Sequence, residues 1–362
     1  MYLSGKSVIV SIGVMSLVSL LGQSQPSSAA QSAKKSKAAH SALPPPLTWP
    51  LPPEQPRIRY VTSYRGADDF KLVKKPSKLM VALLGAKDQA TPGADRLVKP
   101  YGVAVAPNGR IYIADTAARR VYALDPEAKT VAFLGDSGAG KLAKPIGVAV
   151  DSRGVVFVAD ATLKRVFGYG ADGRLVIAIG HEGELENPSG LAVDRTRQLL
   201  FVADAAKHQI LSYSTVDGAP RATVGKRGSE PGEFNFPTNL AVDRDGTLYV
   251  ADTLNFRIQA FDAAGAFVRE FGTLGDSPGN LNRPKGIGVD SAGHIYVVDA
   301  SFNNFQIFDK EGHLLLFVGA HGSNPGEFFL PAGLFIDERD RVYVADQGNA
   351  RVQVFQYIQG AE

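Results

Sequence analysis

The sequence predicts an all-β protein built from six copies of one four-stranded unit, and three observations support this prediction. An apolar run that ends in aspartate recurs every 44 to 48 residues, and a proline precedes each aspartate by 15 or 16 residues. Between these markers, runs rich in β-branched and aromatic residues alternate with turn formers, which is the pattern of short strands. A fixed period of this size indicates a repeat architecture. The aspartates are Asp115, Asp160, Asp204, Asp252, Asp299 and Asp346, and the prolines are Pro100, Pro145, Pro188, Pro237, Pro284 and Pro331.

Each unit contains four predicted strands. In the first unit, residues 103–105 and 111–115 flank a Pro-Asn-Gly turn, which supplies the positive φ that a tight hairpin needs. A third strand follows the aspartate at residues 120–124, and a fourth precedes the next proline at residues 130–135. Four antiparallel strands in about 45 residues form one blade of a β-propeller, so six units predict a six-bladed ring. No window carries the sustained 3.6-residue apolar stripe of a helical repeat.

The ring is predicted to close through an N-terminal strand. The sixth unit has its third strand at residues 351–355 and lacks a fourth before residue 362. An unpaired sheet edge promotes aggregation, so an upstream segment is expected to cover it. We predict that residues 58–63 supply this outer strand. Residues 78–85 are a second candidate for the same place.

Two segments carry a more specific resemblance. Residues 236–259 (Phe-Pro, then Leu-Ala-Val-Asp, Leu-Tyr-Val-Ala-Asp-Thr and Arg-Ile-Gln) resemble an NHL repeat, and the glycine-rich linker at 271–284 is echoed at 317–331. The resemblance covers residues 57–357 and implies a six-bladed propeller. NHL propellers include protein-binding and RNA-binding modules, an amidating lyase and exported bacterial proteins. The resemblance therefore does not select one function, because one fold carries many.

The N-terminal 56 residues differ in composition from the repeats. Lys6, the apolar run 8–21 and the Ser-Ala-Ala at 28–30 predict a secretory signal peptide over residues 1–30, with a membrane anchor as the alternative. A basic and then proline-rich linker follows at 31–56, in which Trp49 is expected to pack on the ring, and the propeller covers 57–362. The absence of cysteine excludes disulfides. We expect a periplasmic or secreted protein without a stable membrane span after signal cleavage.

The charge of the chain is unevenly distributed. Residues 96–362 hold 27 Lys and Arg against 31 Asp and Glu, whereas residues 1–95 hold 12 against 5. The repeats are therefore mildly acidic, although the whole chain has a net charge of +3. Because nucleic-acid readers concentrate basic charge on the folded domain, we expect no nucleic-acid partner.

Residues present in all or most units are expected to be structural. The six aspartates are predicted to accept backbone N–H bonds in the following turn. The arginines at 120, 165, 257 and 351 recur at one position and are predicted to bridge to neighbouring turns or carboxylates, and His208 is assigned to this same position. A functional site should then be found among the residues that depart from the repeat.

The position directly after each proline varies from unit to unit and lies where the innermost strand begins. In the NHL-type amidating lyase, zinc-binding histidines occupy this position, and a catalytic zinc needs three convergent ligands. None of the six residues here is histidine, so we expect no metal and no cofactor. His181 and His321, which share an inter-blade position, are the remaining candidate metal pair. The six residues are Tyr101, Ile146, Ser189, Thr238, Lys285 and Ala332.

The polar members of this position predict a binding site at the channel mouth. Tyr101, Thr238 and Lys285 are joined by Asn239, which stands where the other units have glycine. Such a mixed set suits a peptide or small polar ligand. Asn255 and Asn303, in the turns after the aspartates, extend the predicted site together with Phe256 and Phe302, which either contact a partner or pack between blades.

The sequence as a whole favours an exported, non-catalytic scaffold that presents one propeller face to a protein or an extracellular polymer. The alternative is a metal-dependent lyase or hydrolase with its site in the central channel. The two hypotheses differ in one requirement. The enzyme needs His, Asp or Glu side chains that converge on the channel axis, and the scaffold does not.

Overall fold

The computed structural model describes residues 46–51, 53–70 and 95–358. In this part of the chain, 25 strands form six antiparallel sheets, and the innermost strands contact one another in a closed cycle. The prediction of a six-bladed propeller is thereby confirmed. Three 3-10 turns, Ala67–Phe70, Thr253–Asn255 and Gln347–Asn349, are the helical elements described, and no helix in this part of the chain is long and apolar enough to cross a bilayer.

Each of the first five blades consists of four consecutive strands, ordered from the channel outward. Blade 1 contains β3 (Pro100–Val105), β4 (Ile111–Asp115), β5 (Arg120–Asp125) and β6 (Thr130–Leu134). Blade 2 contains β7 (Pro145–Val150), β8 (Val156–Asp160), β9 (Arg165–Tyr169) and β10 (Leu175–Ile179). Blade 3 contains β11 (Pro188–Asp194), β12 (Leu199–Asp204), β13 (Gln209–Ser214) and β14 (Pro220–Val224). Blade 4 contains β15 (Pro237–Val242), β16 (Leu248–Asp252), β17 (Arg257–Phe261) and β18 (Phe267–Phe271). Blade 5 contains β19 (Pro284–Val289), β20 (Ile295–Asp299), β21 (Asn304–Phe308) and β22 (Leu314–Val318).

Blade 6 is completed from the N-terminal side. It contains β23 (Pro331–Ile336), β24 (Arg341–Asp346) and β25 (Arg351–Tyr357), and then β2 (Ile58–Tyr64) and β1 (Thr48–Trp49). β2 pairs with β25 along its length, which confirms the predicted closure. Trp49 lies edge-on to Phe355 at 5.7 Å, so part of the segment interpreted as a linker belongs to this sheet. The second candidate strand, residues 78–85, lies outside the described residues.

The repeated aspartates are structural, as predicted. All six are fully buried, and each accepts hydrogen bonds from the segment before the proline and from its own turn or the next strand. Asp115 accepts the N–H groups of Val98, Lys99, Ala117 and Ala118 at 2.7–3.1 Å. A buried carboxylate is costly unless several donors surround it, and these N–H groups provide that compensation. The aspartates therefore tie the inter-blade linker to the blade.

The recurrent arginines follow two patterns. Arg257 and Arg351 are buried and bridge as predicted, each to the blade's aspartate (3.0 and 2.7 Å) and to backbone carbonyls of the preceding linker. Arg120 lies over the Phe133 ring at 4.1 Å, and Arg165 is exposed. The arginine at this position bridges to the aspartate in blades 4 and 6, where carbonyl groups of the preceding linker also accept its N–H groups.

The assignment of His208 to this position is wrong by one residue. Asp115 pairs with Arg120 and Asp204 with Gln209, so Gln209 is the true counterpart of the arginines. His208 precedes it with φ 57°, and Asn303 occupies the same left-handed position in blade 5 with φ 55°. The arginines lie five residues after the repeated aspartates, and the same count from Asp204 gives Gln209, so the sequence already contained the correct assignment.

Glycine lets the inner strands approach closely in five blades. A Cβ at Gly102, Gly147, Gly190, Gly286 or Gly333 would collide with the backbone of the next blade. Only a residue without a side chain fits such an approach. Blade 4 has Asn239 at this position and so places an amide where the other blades have none.

Candidate functional site

The channel has two chemically different ends. All six inner strands begin at a proline and run in the same direction, so the prolines, the turns after the repeated aspartates and the inter-blade linkers gather at one end, the upper mouth. The hairpins between first and second strands gather at the other end, the lower mouth. The predicted binding residues belong to the upper mouth.

Three of the six predicted site residues meet at the upper mouth. The Lys285 ammonium nitrogen lies 5.3 Å from the centre of the Tyr101 ring, so side chains of blades 5 and 1, on either side of blade 6, meet at the opening. The Asn239 amide of blade 4 lies beside the Tyr101 hydroxyl, and its nitrogen is buried without a hydrogen-bond partner among the described residues. These three side chains form the polar centre of the mouth.

Lys285 is a largely buried cation without a counter-ion among the described residues. Burial, followed by repulsion from Arg283 and Lys99, lowers its pKa to about 8 from 10.5. In the part of the chain that the structure describes, none of these three cations forms an ion pair with a carboxylate. Burial also raises the pKa of the Tyr101 hydroxyl, an effect that the Asn239 amide and Arg283 oppose. The upper mouth is therefore positive and rich in donors.

The other three predicted residues have partners within the fold. Thr238 shares a 2.6 Å hydrogen bond with Thr253, whose hydroxyl donates to the Pro284 carbonyl at 2.8 Å and so links blade 4 to the start of the strand that carries Lys285. The Asn255 amide donates to the Gly228 carbonyl and to its blade's aspartate, both at 2.8 Å. Thr238 and Asn255 therefore position the mouth, and the structure does not bring Asn255 into its centre.

The exposed apolar side chains at this end of the channel include two pairs close to the prolines of blades 4 and 6. Phe236 and Leu330 occupy the position before the proline, where the other blades have Lys, Lys, Asn and Arg, and each is 40 % exposed. The Leu254 N–H donates to the Asn235 carbonyl, which places Leu254 beside Phe236, and Phe329 directly precedes Leu330. Both Leu254 and Phe329 are exposed. We call these four residues the apolar rim.

The apolar rim depends on the left-handed turn residues of the preceding blades. The Phe236 N–H donates to His208 Nδ1 at 3.2 Å, and the Leu330 N–H donates to Asn303 Oδ1 at 2.9 Å. Both rim residues have positive φ, 54° and 50°, which few non-glycine residues adopt. In blades 1, 2, 3 and 5 the same N–H donates instead to the repeated aspartate. Asn303, a predicted site residue, thus positions Leu330.

The lower mouth opens into a cavity of about 580 Å³ that runs up the channel to Asn239. Its walls are the free edges of the inner strands, so they present unpaired backbone groups. Arg195 of blade 3 crosses the lower mouth and donates to the carbonyls of Val150 (3.3 Å) and Val105 (3.2 Å) and to Glu338 Oε1 (2.8 Å), in blades 2, 1 and 6. This crossing was not predicted from the sequence.

The aspartates at the lower mouth accept hydrogen bonds from the backbone of the hairpin turns and thereby stabilise those turns. Asp290 accepts the N–H groups of Ala292 and His294 at 3.0 and 2.9 Å, and it also binds His294 Nδ1 at 2.8 Å and the Tyr296 hydroxyl at 3.0 Å. Asp243 and Asp337 make equivalent contacts in blades 4 and 6. This second recurrent aspartate position could have been read from the sequence, because an aspartate directly follows a Val or Ile at the end of the inner strand in blades 2 to 6.

The described residues contain no group of three or more His, Cys, Asp or Glu side chains that could hold a metal ion. The residues after the prolines therefore do not fit the zinc site of the amidating lyase. His181 precedes blade 3 and His321 precedes blade 6, which are opposite in the ring, and His321 lies edge-on to Phe329 at 5.4 Å. This placement separates the two candidate metal ligands.

Comparisons with known sequences match two parts of the chain. A family of six-bladed β-propellers of the DUF5128 type matches residues 288–359, and the NHL repeat matches residues 234–261. RING finger protein nhl-1 of Caenorhabditis elegans is 40 % identical over 55 residues, 15 % of this chain and 6 % of that protein. Peptidyl-glycine alpha-amidating monooxygenase B of Xenopus laevis is 34 % identical over 90 residues, 24 % of this chain and 10 % of that protein. The matches thus span small parts of these relatives.

Solved structures with the same fold cover more of the chain. A streptogramin B lyase covers 72 % of this chain and 94 % of its own, with a TM-score of 0.54 and 14 % identity. A structural genomics protein of unknown function from Bacteroides thetaiotaomicron covers 72 % and 70 %, with a TM-score of 0.55 and 17 % identity. At such identities the likeness concerns the fold alone. The chain is thus a six-bladed β-propeller that contains a match to the NHL repeat at residues 234–261 and to a six-bladed propeller family at residues 288–359.

Proposed function

We propose that this protein is an exported, non-catalytic scaffold that binds a protein partner on the upper face of its propeller. The observation that carries the proposal is the position of the residues that depart from the repeat. The apolar rim and the polar centre formed by Tyr101, Asn239 and Lys285 gather at one end of the ring. Apolar and aromatic anchors next to polar groups are typical of protein interfaces.

Three further observations support this proposal. NHL propellers include protein-binding modules, and the chain carries NHL repeats. The mildly acidic repeats disfavour nucleic acid. Lys6, the apolar run 8–21 and the small residues at 28–30 support export to the periplasm or the medium. An extracellular polymer is the alternative partner, and the metal-dependent lyase or hydrolase has no ligand cluster among the described residues to favour it.

Capture of the partner by cross-linking tests the proposal. The full chain is compared with a variant carrying Phe236→Asn and Leu330→Asn, because asparagine removes the apolar side chain and tolerates the positive φ at both positions. Val216→Asn is the matched control, since Val216 is 53 % exposed in the hairpin between β13 and β14 at the lower end. We expect a protein captured by the parent and the control and lost from the rim variant.

Two results would contradict the proposal. Equal capture by the rim variant and the parent would show that the upper face does not bind the partner. Retention of the full-length chain in the cytoplasm, measured by cell fractionation, would contradict export. Both measurements use the chain as it is produced in the cell.

A further inference from the structure

We propose that the upper mouth contains a carboxylate-binding site formed by Lys285, Asn239 and Tyr101, with Arg283 and Lys99 attracting the anion. The inference rests on the proposed function, because it concerns the same face, and it names the chemical group that the partner presents at the centre of the ring. An acidic side chain or a C-terminal carboxylate of a protein supplies this group.

The first argument is the contrast between Lys285 and the other buried cations of the molecule. Arg257 and Arg351 each contact an aspartate and at least two backbone carbonyls. Lys285 contacts the Tyr101 ring, and its nearest charged neighbours are the cations Arg283 and Lys99. A fold rarely buries a charge without a partner, because the loss of hydration is not offset. An anion from outside would provide the offset.

The second argument is the uncompensated donor beside Lys285. The Asn239 amide nitrogen is buried and forms no hydrogen bond of ordinary geometry among the described residues, although it lies close enough to the Tyr101 hydroxyl to lower the pKa of that group; it stands at the one position of the ring where five blades have glycine. A buried polar atom without a hydrogen-bond partner costs free energy, so an unpaired donor at an opening suggests that a bound ligand supplies the acceptor. The Tyr101 hydroxyl next to it supplies a further donor. Two neutral donors and one ammonium thus face the same opening.

The number and kind of these donors favour a carboxylate. A carboxylate carries one negative charge and two acceptor oxygens, which match one deeply set ammonium and two neutral donors. Arg283 and Lys99 are exposed at the edge, where cations raise the local anion concentration without fixing its geometry. Phosphate carries up to two charges and more acceptor oxygens than the two neutral donors can satisfy. The hydrogen-bonded chain from Thr238 through Thr253 to the Pro284 carbonyl holds the strand of Lys285 in place.

The site is tested by NMR of the full chain with ¹³Cε-labelled lysine. Sodium acetate, N-acetylglycine and inorganic phosphate are titrated at constant ionic strength against sodium chloride. We expect acetate and N-acetylglycine to shift the Lys285 signal, assigned from its absence in Lys285→Met. At saturation the bound anion should raise the pKa of Lys285 by about one unit or more, because it favours the charged ammonium.

Two variants and one control locate the effect. Lys285→Met keeps the apolar stem of the lysine and should abolish acetate binding, which isothermal titration calorimetry measures in every variant because the NMR probe is lost with Lys285. Asn239→Gly installs the residue that the other blades carry, so the fold should be retained, and acetate affinity should fall about tenfold or more with the lost hydrogen bond to a charged group. Lys310→Met removes an exposed lysine from the hairpin between β21 and β22 at the lower end and should leave acetate binding unchanged.

Several outcomes would overturn the inference. These are a Lys285 signal that responds to acetate no more than to chloride, tighter binding of phosphate than of acetate, and equal losses in Lys285→Met and Lys310→Met. Failure here is separable from failure of the proposed function. Partner capture that depends on the apolar rim with no acetate response would leave the scaffold proposal standing. An acetate response with capture that is unaffected by the rim variant would leave only the anion site.

Discussion

The two ends of the channel are built from the same six strands, yet they use their polar groups differently. At the lower mouth Asp290 accepts four hydrogen bonds, and Arg195 reaches three other blades. At the upper mouth Lys285 has no counter-ion and the Asn239 amide nitrogen has no acceptor among the described residues. The charged groups described here at the lower mouth satisfy one another. Polar and charged groups without a partner within the fold therefore distinguish the end of the channel that can bind a ligand, whereas polarity alone does not.

The largest effect expected from this comparison is the loss of a lower-mouth carboxylate. Asp290→Ala leaves two backbone N–H groups, the Tyr296 hydroxyl and His294 without their acceptor. We expect the free energy of unfolding to fall by about 3 kcal/mol, since buried donors that lose a partner keep their desolvation cost. Urea unfolding measures this change. A loss below about 1 kcal/mol, or a weaker acetate affinity at the other end, would contradict the division of roles.

The second effect has the opposite sign. Lys285→Met should raise the free energy of unfolding at pH 7 by about 2 kcal/mol, because the folded protein disfavours the charged lysine, whose pKa is lowered to about 8. In the parent, the folded state releases the proton above about pH 8 while the unfolded state holds it up to the ordinary value of 10.5. Parent stability should therefore rise with pH across that window relative to the variant. Parallel pH profiles for the two proteins would refute a buried, unpaired Lys285.

The third effect concerns His294 at the lower end. The hydrogen bond to Asp290 raises its pKa above 6.5, with burial opposing the shift. A raised pKa contributes stability that is complete below the unfolded-state value and is lost as the pH rises through the folded-state value. Because the imidazole is partly exposed, we expect less than about 1 kcal/mol. The melting temperatures of the parent and His294→Gln, measured between pH 5 and 8, should become more similar as the pH rises. A difference that stays constant over this range would contradict a raised pKa of His294.

The smallest effect is expected for the ion pair between Arg195 and Glu338. Glu338 is 69 % exposed, so Glu338→Gln should change the free energy of unfolding by about 0.5 kcal/mol or less. Arg195 keeps its two carbonyl contacts in this variant. Acetate binding at the upper mouth should be unaffected. A change in acetate affinity would show that the two ends of the channel are coupled, and a loss of stability above about 1 kcal/mol would contradict a weak, exposed ion pair.

The fold could be predicted from the sequence because its evidence is repeated six times. The repeat period, the turn residues and the recurrent aspartates all predict the same four-stranded blade. The sixth unit lacks a fourth strand, which predicts that an upstream segment, β2, pairs with it. Of the site, Tyr101, Asn239 and Lys285 were found because they break the repeat next to a proline. Arg283 and Lys99 were missed because they precede that proline, although the same comparison made one position earlier would have shown them.

The remaining features of the site depend on tertiary contacts. The exposure of Phe236 and Leu330 follows from N–H groups that turn toward His208 and Asn303 of the preceding blades, which no local pattern reveals. The crossing of the lower mouth by Arg195 exists only after the ring has closed. Asn255 and Asn303 were chosen as binding residues for their amides, and hydrogen bonds within the fold already use those amides.

The pairing of β2 with β25 sets the order in which the molecule can be completed. β2 is among the first described segments to be synthesised, and its partner strand is the last. Until residues 351–357 are available, the outer edge of the sixth blade has no occupant and the N-terminal strands have no sheet to join. A chain that lacked residues 351–357 would leave the outer edge of β24 and one edge of β2 unpaired, and unpaired edges invite pairing with a second chain. The inner strands complete their cycle without β25, so the part of the molecule that waits for these residues is the outer half of the sixth blade.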